Sequence, residues 1–327
     1  MQFSWATIRK PLVALAPMAG VSDVATRSIA RRWGSDITFS EFISVDALHY
    51  KPGNEKSFEL AEFIEEERPF IIQVFGRDPQ HFASAVKILT ENFQPDGFDV
   101  NFGCPARNVV NNGSGSCLFL EPALAKAIIE TVKEASGGLP TSIKLRASFK
   151  HVGVMEFMRG IEGAPFECVT IHMRAYEQVH NGPANWDSGR ELHDYLQPRG
   201  IHTIINGAIN SGEEAHNALA YTGADGVMVA QAALGNPFIF GEIQAAINQQ
   251  PIPIISPEQR LNTILDHAKL MLEHKGQRGI IEMRKHLLWY IKGFPGAADL
   301  RRELSQITSL PQLETILKTH ALSRLPA

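Results

Sequence analysis

Cys104 sits between Gly103 and Pro105 in the segment NFGCPARNVVNNGSGSCLF, and its setting points to chemistry more than that of any other residue in this 327-residue chain. A tight turn there projects a small thiol, which can attack a substrate carbon or give up a proton as an acid. Spacing alone does not choose between the two. Cys117 and Cys168 lie in apolar runs and read as core. The three cysteines show neither CxxC nor Cys/His ligand spacing, so neither disulfides nor a zinc site is suggested. A second set of polar residues closes or interrupts apolar stretches: Gln73, Asn101, Lys144, Arg146, His172, Arg174 and Asn206. Lys144, inside Ser-Ile-Lys-Leu-Arg, is expensive to bury without an anionic partner or a wet pocket. Glycine-bearing turns at Ile205–Ile209 and Gly235–Pro237 offer backbone donors to a phosphate. Neither GxGxxG after the first strand nor a Walker sequence is present.

The elements that must position these residues alternate almost from end to end. Apolar runs at Val13–Pro17, Ile37–Phe42, Phe70–Phe75, Phe98–Phe102, Thr141–Leu145, Cys168–Ile171, His202–Ile205 and Gly226–Val229 are separated by helix-like stretches. Continuous apolar strands imply a parallel sheet covered on both faces, and eight of them suit a closed (β/α)8 TIM barrel. In that fold the active site lies at the C-terminal strand ends, so the polar set should share one mouth. The polar stretch Asp46–Glu67 reads as an insertion after the second strand. From Pro251 onward the strand signal disappears, and helical patterns occupy Gln259–Lys275, Gly279–Ile291, Ala298–Gln306 and Leu310–Thr319. The chain therefore divides into a catalytic barrel, residues 1–250, and an all-helical domain, residues 251–327.

Hydrophobic residues at 44% and charged residues at 20% exclude a largely disordered chain. No apolar run of about 20 residues occurs, and the first residues lack the pattern of a secretory signal. A cytoplasmic location without a membrane partner is expected, and no obligate protein partner is evident. The net charge of -4 hides an imbalance, because residues 255–327 carry 11 Lys and Arg against 7 Asp and Glu. Seven of the basic residues fall within Lys275–Arg302, Arg284 and Lys285 among them. Such a concentration steers phosphate-bearing partners. Tyr176, Trp186 and Tyr290 are candidates for stacking on bases.

Taken together, LAPMAGVSD (15–23), SEF (40–42), QVFG (73–76), DVNFGCPARNVVNNGSGS (99–116), IKLR (143–146), IHMRAYEQ (171–178), INGAI, TGADGVMVAQAALGNPFIF (222–240) and RKHLLWYIKGFPGAADLR (284–301) resemble the tRNA-dihydrouridine synthase family, its bacterial B-type branch in particular. The resemblance implies an FMN-binding barrel followed by a helical tRNA-binding domain. It implies that NADPH, or alternatively NADH, reduces the flavin, that flavin N5 delivers hydride to uracil C6, and that Cys104 protonates C5. By the same resemblance Pro17, Met18, Gln73, Lys144, His172, Asn206, Gly207, Ala230 and Gln231 hold the flavin, and Asn101, Arg174, Arg284 and Lys285 meet the RNA. Met173 stands where the family commonly carries glycine, and Gln231 replaces an arginine close to the expected phosphate. A flavin barrel for a small enone-like substrate and an inactive RNA-binding barrel are the competing readings.

Overall fold

A computed structural model describes residues 3–179, 181–293 and 297–321. Residues 294–296 of the Arg284–Arg301 stretch therefore lie outside the described residues. The strands are β1 (Leu12–Leu15), β2 (Ile37–Phe39), β3 (Ile43–Ser44), β4 (Phe70–Phe75), β5 (Gly97–Asn101), β6 (Thr141–Phe149), β7 (Val152–Gly153), β8 (Cys168–Ala175), β9 (His202–Asn206) and β10 (Gly226–Val229). Eight of them pair in parallel in the order β1–β2–β4–β5–β6–β8–β9–β10, and β10 pairs with β1, closing the TIM barrel expected from the sequence.

Alternation of side chains sorts the core into two layers. Leu12, Ala14, Ile37, Phe39, Ile71, Cys168, Ile204 and Met228 point inward and fill the barrel, with Trp5 in the same cluster. Val13, Leu15, Ile72, Val74, Phe98, Val100, Ile143, Leu145, Val169, Ile171, Val227 and Val229 point outward against the helical shell. Burying each such side chain contributes about 1.5–3 kcal/mol, which is why both strand faces read as apolar. The helices start where the chain supplies caps. Asp23 accepts from the Thr26 N–H at 3.0 Å, Asp78 precedes Pro79 at the first helical position, and Ser211 accepts from Glu214 N–H at 3.1 Å.

Three strands differ from their expected extents by three residues or more, and β1, β5 and β9 by one or two. The run Ile37–Phe42 breaks after Phe39, because Ser40 turns its hydroxyl to accept the Gln73 N–H at 2.9 Å and Glu41 turns to the Gly20 N–H; pairing resumes at β3. β6 and β8 both run past their expected ends at Leu145 and Ile171. Arg146 and His172 still pair as register partners before the ladder shifts at Ser148, and β7 folds back on the end of β6. The insertion Asp46–Glu67 holds the helix Glu55–Ala61 and all but the first residue of the helix Val45–Tyr50.

Beyond the barrel, the helix Pro257–Tyr290 opens on a capping box between Ser256 and Gln259 and kinks at Gly276, whose φ of 57 lies outside helical space. The two helices expected on either side of that glycine are its two arms. Helices Ala297–Leu304 and Leu310–Ala321 follow. Leu261, Ile264, Met271, Ile280, Met283, Leu287 and Leu313 form one core with Ala25 and Ile29 of the first barrel helix. The seam also carries charge: Lys275 donates to Asp23 at 2.7 Å and to Glu282 at 2.8 Å. Among the described residues no helix is long and apolar enough to cross a membrane.

Candidate active site

Strand register gathers the polar set into a ring. Asn101 pairs with Lys144, Lys144 with Thr170, Arg146 with His172, and His172 with Asn206. Asn101 and Asn206 end their strands, Lys144, Arg146, Thr170 and His172 sit beside them in the register of the longer β6 and β8, and all but Thr170 line a cavity of about 380 Å³. Its wall also includes Pro17, Met18, Gln73, Cys104, Arg174, Gly207, Ala230 and Gln231, together with Phe42 and the turn Ala208–Asn210. Among the described residues lining it there is no carboxylate, while Lys144, Arg146 and Arg174 are cationic. Such a wall suits an anionic ligand.

Cys104 lies on this wall, 8% exposed. Its turn is pinned from two sides. The Asn101 side-chain oxygen accepts the N–H of Gly103 at 3.0 Å and of Cys104 at 2.9 Å. Buried Arg146 donates to the Gly103 carbonyl at 3.0 Å and reaches the Ala175 and Val179 carbonyls at 3.2 and 2.8 Å. Gly115 must be glycine, because with its φ of +61 an added Cβ would approach Cys104 Cβ at 3.2 Å and the Cys104 carbonyl at 3.1 Å. Burial pushes the thiol pKa up, against a hydrogen bond from the Ala106 backbone and the charges of Arg146 and Lys144, so the resting group is the protonated thiol.

Lys144 donates to Asn206 Oδ1 at 3.3 Å, and Asn206 donates onward to the Met228 carbonyl at 2.7 Å. Burial, aided by Arg146, lowers the lysine to about 8 against the attraction of Asp99 and Cys104. An anion in the cavity would therefore favour its charged form. Gly207 adopts φ +100, and an added Cβ would come within 2.5 Å of the His172 ring, so only glycine lets this turn approach the ring. His172 Nε2 lies 3.4 Å from Arg174 Nη1, and Arg174 Nε donates to the Gly182 carbonyl at 2.9 Å.

The remaining candidates lie elsewhere. Arg284 donates twice to the Ile307 carbonyl, at 2.9 and 2.6 Å, and so braces the helical domain. Lys285 donates to the carbonyl of Gly20, one residue beyond the cavity-lining Met18 and Ala19. The basic face is smaller than the sequence count suggests, because Lys275 is paired with Asp23 and Glu282 and Arg278 with Glu59 and Glu282. Lys292, Arg301 and Arg302 stay exposed. Tyr290 is buried with its hydroxyl 3.1 Å from His267 Nδ1, which takes it out of base stacking. Tyr176 packs edge-on to Phe149, and Trp186 lies 5.8 Å from Tyr221. Met173 points away from the cavity into the shell, where Gly189 makes room for it: a Cβ there would meet its sulfur at 2.9 Å.

Asp99 was not among the sequence candidates. It lies one inward position below Asn101 on β5, fully buried, accepting from Ser142 Oγ at 2.6 Å and Gln73 Nε2 at 2.7 Å. The signal was available, since a period of two places Asp99 and Asn101 on the same face of one strand.

The sequence profile of the dihydrouridine synthase family (Dus) matches residues 14–325, nearly the whole chain. The chain belongs to the dihydrouridine synthase family. Probable tRNA-dihydrouridine synthase 1 of Synechocystis sp. is 34% identical over 312 residues, covering 93% of this chain and 85% of that protein. tRNA-dihydrouridine synthase B of Pasteurella multocida is 31% identical over 304 residues, covering 91% and 89%. The probable tRNA-dihydrouridine synthase of Aquifex aeolicus is 32% identical over 297 residues, 90% of each chain. Among solved structures, TcOYE with pHBA shares the fold at a TM-score of 0.51 and 10% identity, over 76% of this chain and 91% of that one. This dihydrouridine synthase family member thus keeps the Cys104 thiol, three cations and the Gly207 turn around one cavity, whereas the other glycine-bearing turn, at Gly235, packs against the backbone of Trp289 and Tyr290 and does not line it.

Proposed function

We propose that this chain reduces the C5–C6 double bond of a uridine in tRNA to 5,6-dihydrouridine, using FMN in the barrel mouth and NADPH as reductant. The donor set fits the cofactor. A wall without carboxylates and with Lys144, backbone groups at Gly207 and at Ala230–Gln231, and the Gln73 amide offers donors to both a phosphate and an electron-poor ring. Pro17, Met18, His172 and Asn206 complete the flavin contacts. The turns also answer the missing arginine at Gln231, because backbone N–H groups hold a phosphate without a side-chain charge.

Held by these residues, FMN would supply the hydride for uracil C6, with NADPH as the source of reducing equivalents. The other hydrogen comes from the chain. Hydride addition leaves enolate-like charge on C5 and O4, and Cys104 Sγ–H protonates C5. Lys144 and Arg146, which do not deprotonate the buried resting thiol, stabilise the thiolate once the proton has left. Asn101 and Arg174 face the uridine. The target base must leave its stack at a cost of a few kcal/mol, which contacts remote from the chemistry offset. The domain from residue 251 onward supplies those contacts through Lys285, Lys292, Arg301 and Arg302, while Arg284 keeps that surface in shape.

The observation that carries this reading is the placement of the Cys104 thiol on the wall of a cationic cavity, where burial favours its protonated form. Single-turnover reoxidation of the reduced flavin by tRNA tests it. Cys104→Ala should retain flavin and slow RNA-dependent reoxidation by about 10²–10⁴-fold, the span of general-acid catalysis. An undiminished rate removes Cys104 from the acid role.

A further inference from the structure

A hydrogen-bonded chain runs beneath the cavity floor and ends on the turn that carries Cys104. Asp99 Oδ1 accepts from Ser142 Oγ at 2.6 Å, and Oδ2 accepts from Gln73 Nε2 at 2.7 Å. Gln73 Oε1 accepts from Asn101 Nδ2 at 2.8 Å, and Asn101 Oδ1 accepts the N–H groups of Gly103 and Cys104 at 3.0 and 2.9 Å. Asp99, Gln73 and Ser142 are fully buried, and Asn101 is 7% exposed.

The chain has a direction. A side-chain amide can be turned end for end with little change of shape, so Gln73 and Asn101 each have two orientations that differ only in which atom donates. An ionised carboxylate only accepts, which forces the Gln73 amino group toward Asp99 and its oxygen toward Asn101. That oxygen forces the Asn101 amino group toward Gln73 and leaves its own oxygen to the two backbone N–H groups. Reversal of Asn101 would set donor against donor at the Cys104 turn, and reversal of Gln73 would set acceptor against acceptor at Asp99 and donor against donor at Asn101. The carboxylate at one end and the backbone donors at the other select the same orientation.

We propose that Asp99 is a positioning residue: through Gln73 and Asn101 it fixes the polarity of the bonds that hold the Cys104 turn, and so aims the thiol into the cavity. The inference rests on Cys104 being the proton donor of the proposed reaction. It assigns Asp99 no contact with flavin or uridine. Ser142 and the charge of Lys144 keep the carboxylate available as an acceptor, opposing the burial that raises it to about 6. The arrangement also gives Gln73 a second role beside any flavin contact, because its oxygen and one amino hydrogen are used inside the protein.

Two variants separate positioning from packing. Asp99→Leu keeps a side chain of similar size and removes both acceptors. Asp99→Asn restores the polarity, its carbonyl accepting from Gln73 and its amino group donating to Ser142 Oγ. Each is read by RNA-dependent flavin reoxidation and, independently of any flavin or RNA, by the rate at which iodoacetamide alkylates Cys104, followed by peptide mass spectrometry. For Asp99→Leu the alkylation rate should change roughly tenfold, upward as the turn loosens, which is the factor for one lost hydrogen bond of ordinary net strength. Reoxidation should slow by a similar factor with KM for tRNA unchanged, and Asp99→Asn should return both readouts close to wild type. If Asp99→Leu does not fold, Gln73→Met cuts the chain one bond later and is read by alkylation alone, with the same expected rise. Wild-type alkylation in the Leu or Met variant, or an Asn variant as impaired as the Leu variant, overturns the proposal. If wild-type protein shows no RNA-dependent reoxidation, the functional reading fails while the alkylation comparison still decides the positioning role.

Discussion

Replacing Lys275 by methionine tests the seam between barrel and helical domain. The lysine side chain is 12% exposed and its partner Asp23 6%, so methionine fills the same space while stranding a carboxylate. Burial alone would raise the Asp23 pKa; the charge of Lys275 foremost holds it well below the usual carboxylate range. Removing one partner of a buried pair costs about 3–5 kcal/mol. Asp23 keeps its cap bond to Thr26 and its place at a helix N-terminus, where the helix dipole favours a negative charge by about 0.3–1 kcal/mol. The loss should therefore sit near the lower bound, about 3 kcal/mol. At about 2 °C per kcal/mol, as for chains of this size, scanning calorimetry should show a fall of about 6 °C. Asp23→Asn in the Lys275→Met background keeps a capping side chain without a charge and should recover most of that fall. A single variant melting at the wild-type temperature, or a double variant no better than the single, refutes the pair as a support of the seam.

Other expectations follow from the same geometry. Lys144 is lowered to about 8 by burial in the free protein, and an anionic flavin favours its charged form. Flavin affinity should thus fall as pH rises past about 8, and Lys144→Met should bind more weakly without that dependence; a wild-type profile in the variant rejects the contact. Burial lowers His267 to about 4 and His286 well below its usual value, so both are neutral in the folded seam. Their contribution is complete above the unfolded imidazole value of about 6.5 and is lost as pH falls toward the folded values. Urea titrations should show stability dropping across that window, less steeply in His286→Phe, and a pH-independent midpoint contradicts the assignment. Gly189→Ala should destabilise by about 1 kcal/mol, because overpacking against the Met173 sulfur, at about 1–3 kcal/mol, exceeds the helix-propensity gain of about 1. Equal stability would show that the Met173 layer yields freely.

Much of this was legible in the chain. The eight apolar runs named the barrel because strands covered on both faces need apolar residues at every position, and the polar residues closing them named the mouth. The ends of β6 and β8 were not legible, since Arg146, His172 and Arg174 break the apolar pattern although Arg146 and His172 remain on the ladder and Arg174 stays within β8. The split after Phe39 depends on Ser40 bonding to a neighbouring strand, which no local pattern reveals. The ion pairs within the basic tail were hidden for a similar reason, because the barrel carboxylates that meet Lys275 and Arg278 lie more than 200 positions away. Asp99 does not end its strand, and its bond to Gln73 lies one layer below the strand-end residues.

The central claim is that a uridine enters this cavity and leaves with two added hydrogens. Mass-spectrometric mapping of tRNA lacking the modification, after incubation with the protein, FMN and NADPH, tests it most directly. Dihydrouridine should appear at defined positions with wild-type protein and be sharply reduced with Cys104→Ala. Flavin-loaded protein that consumes NADPH and leaves every uridine unreduced would contradict it.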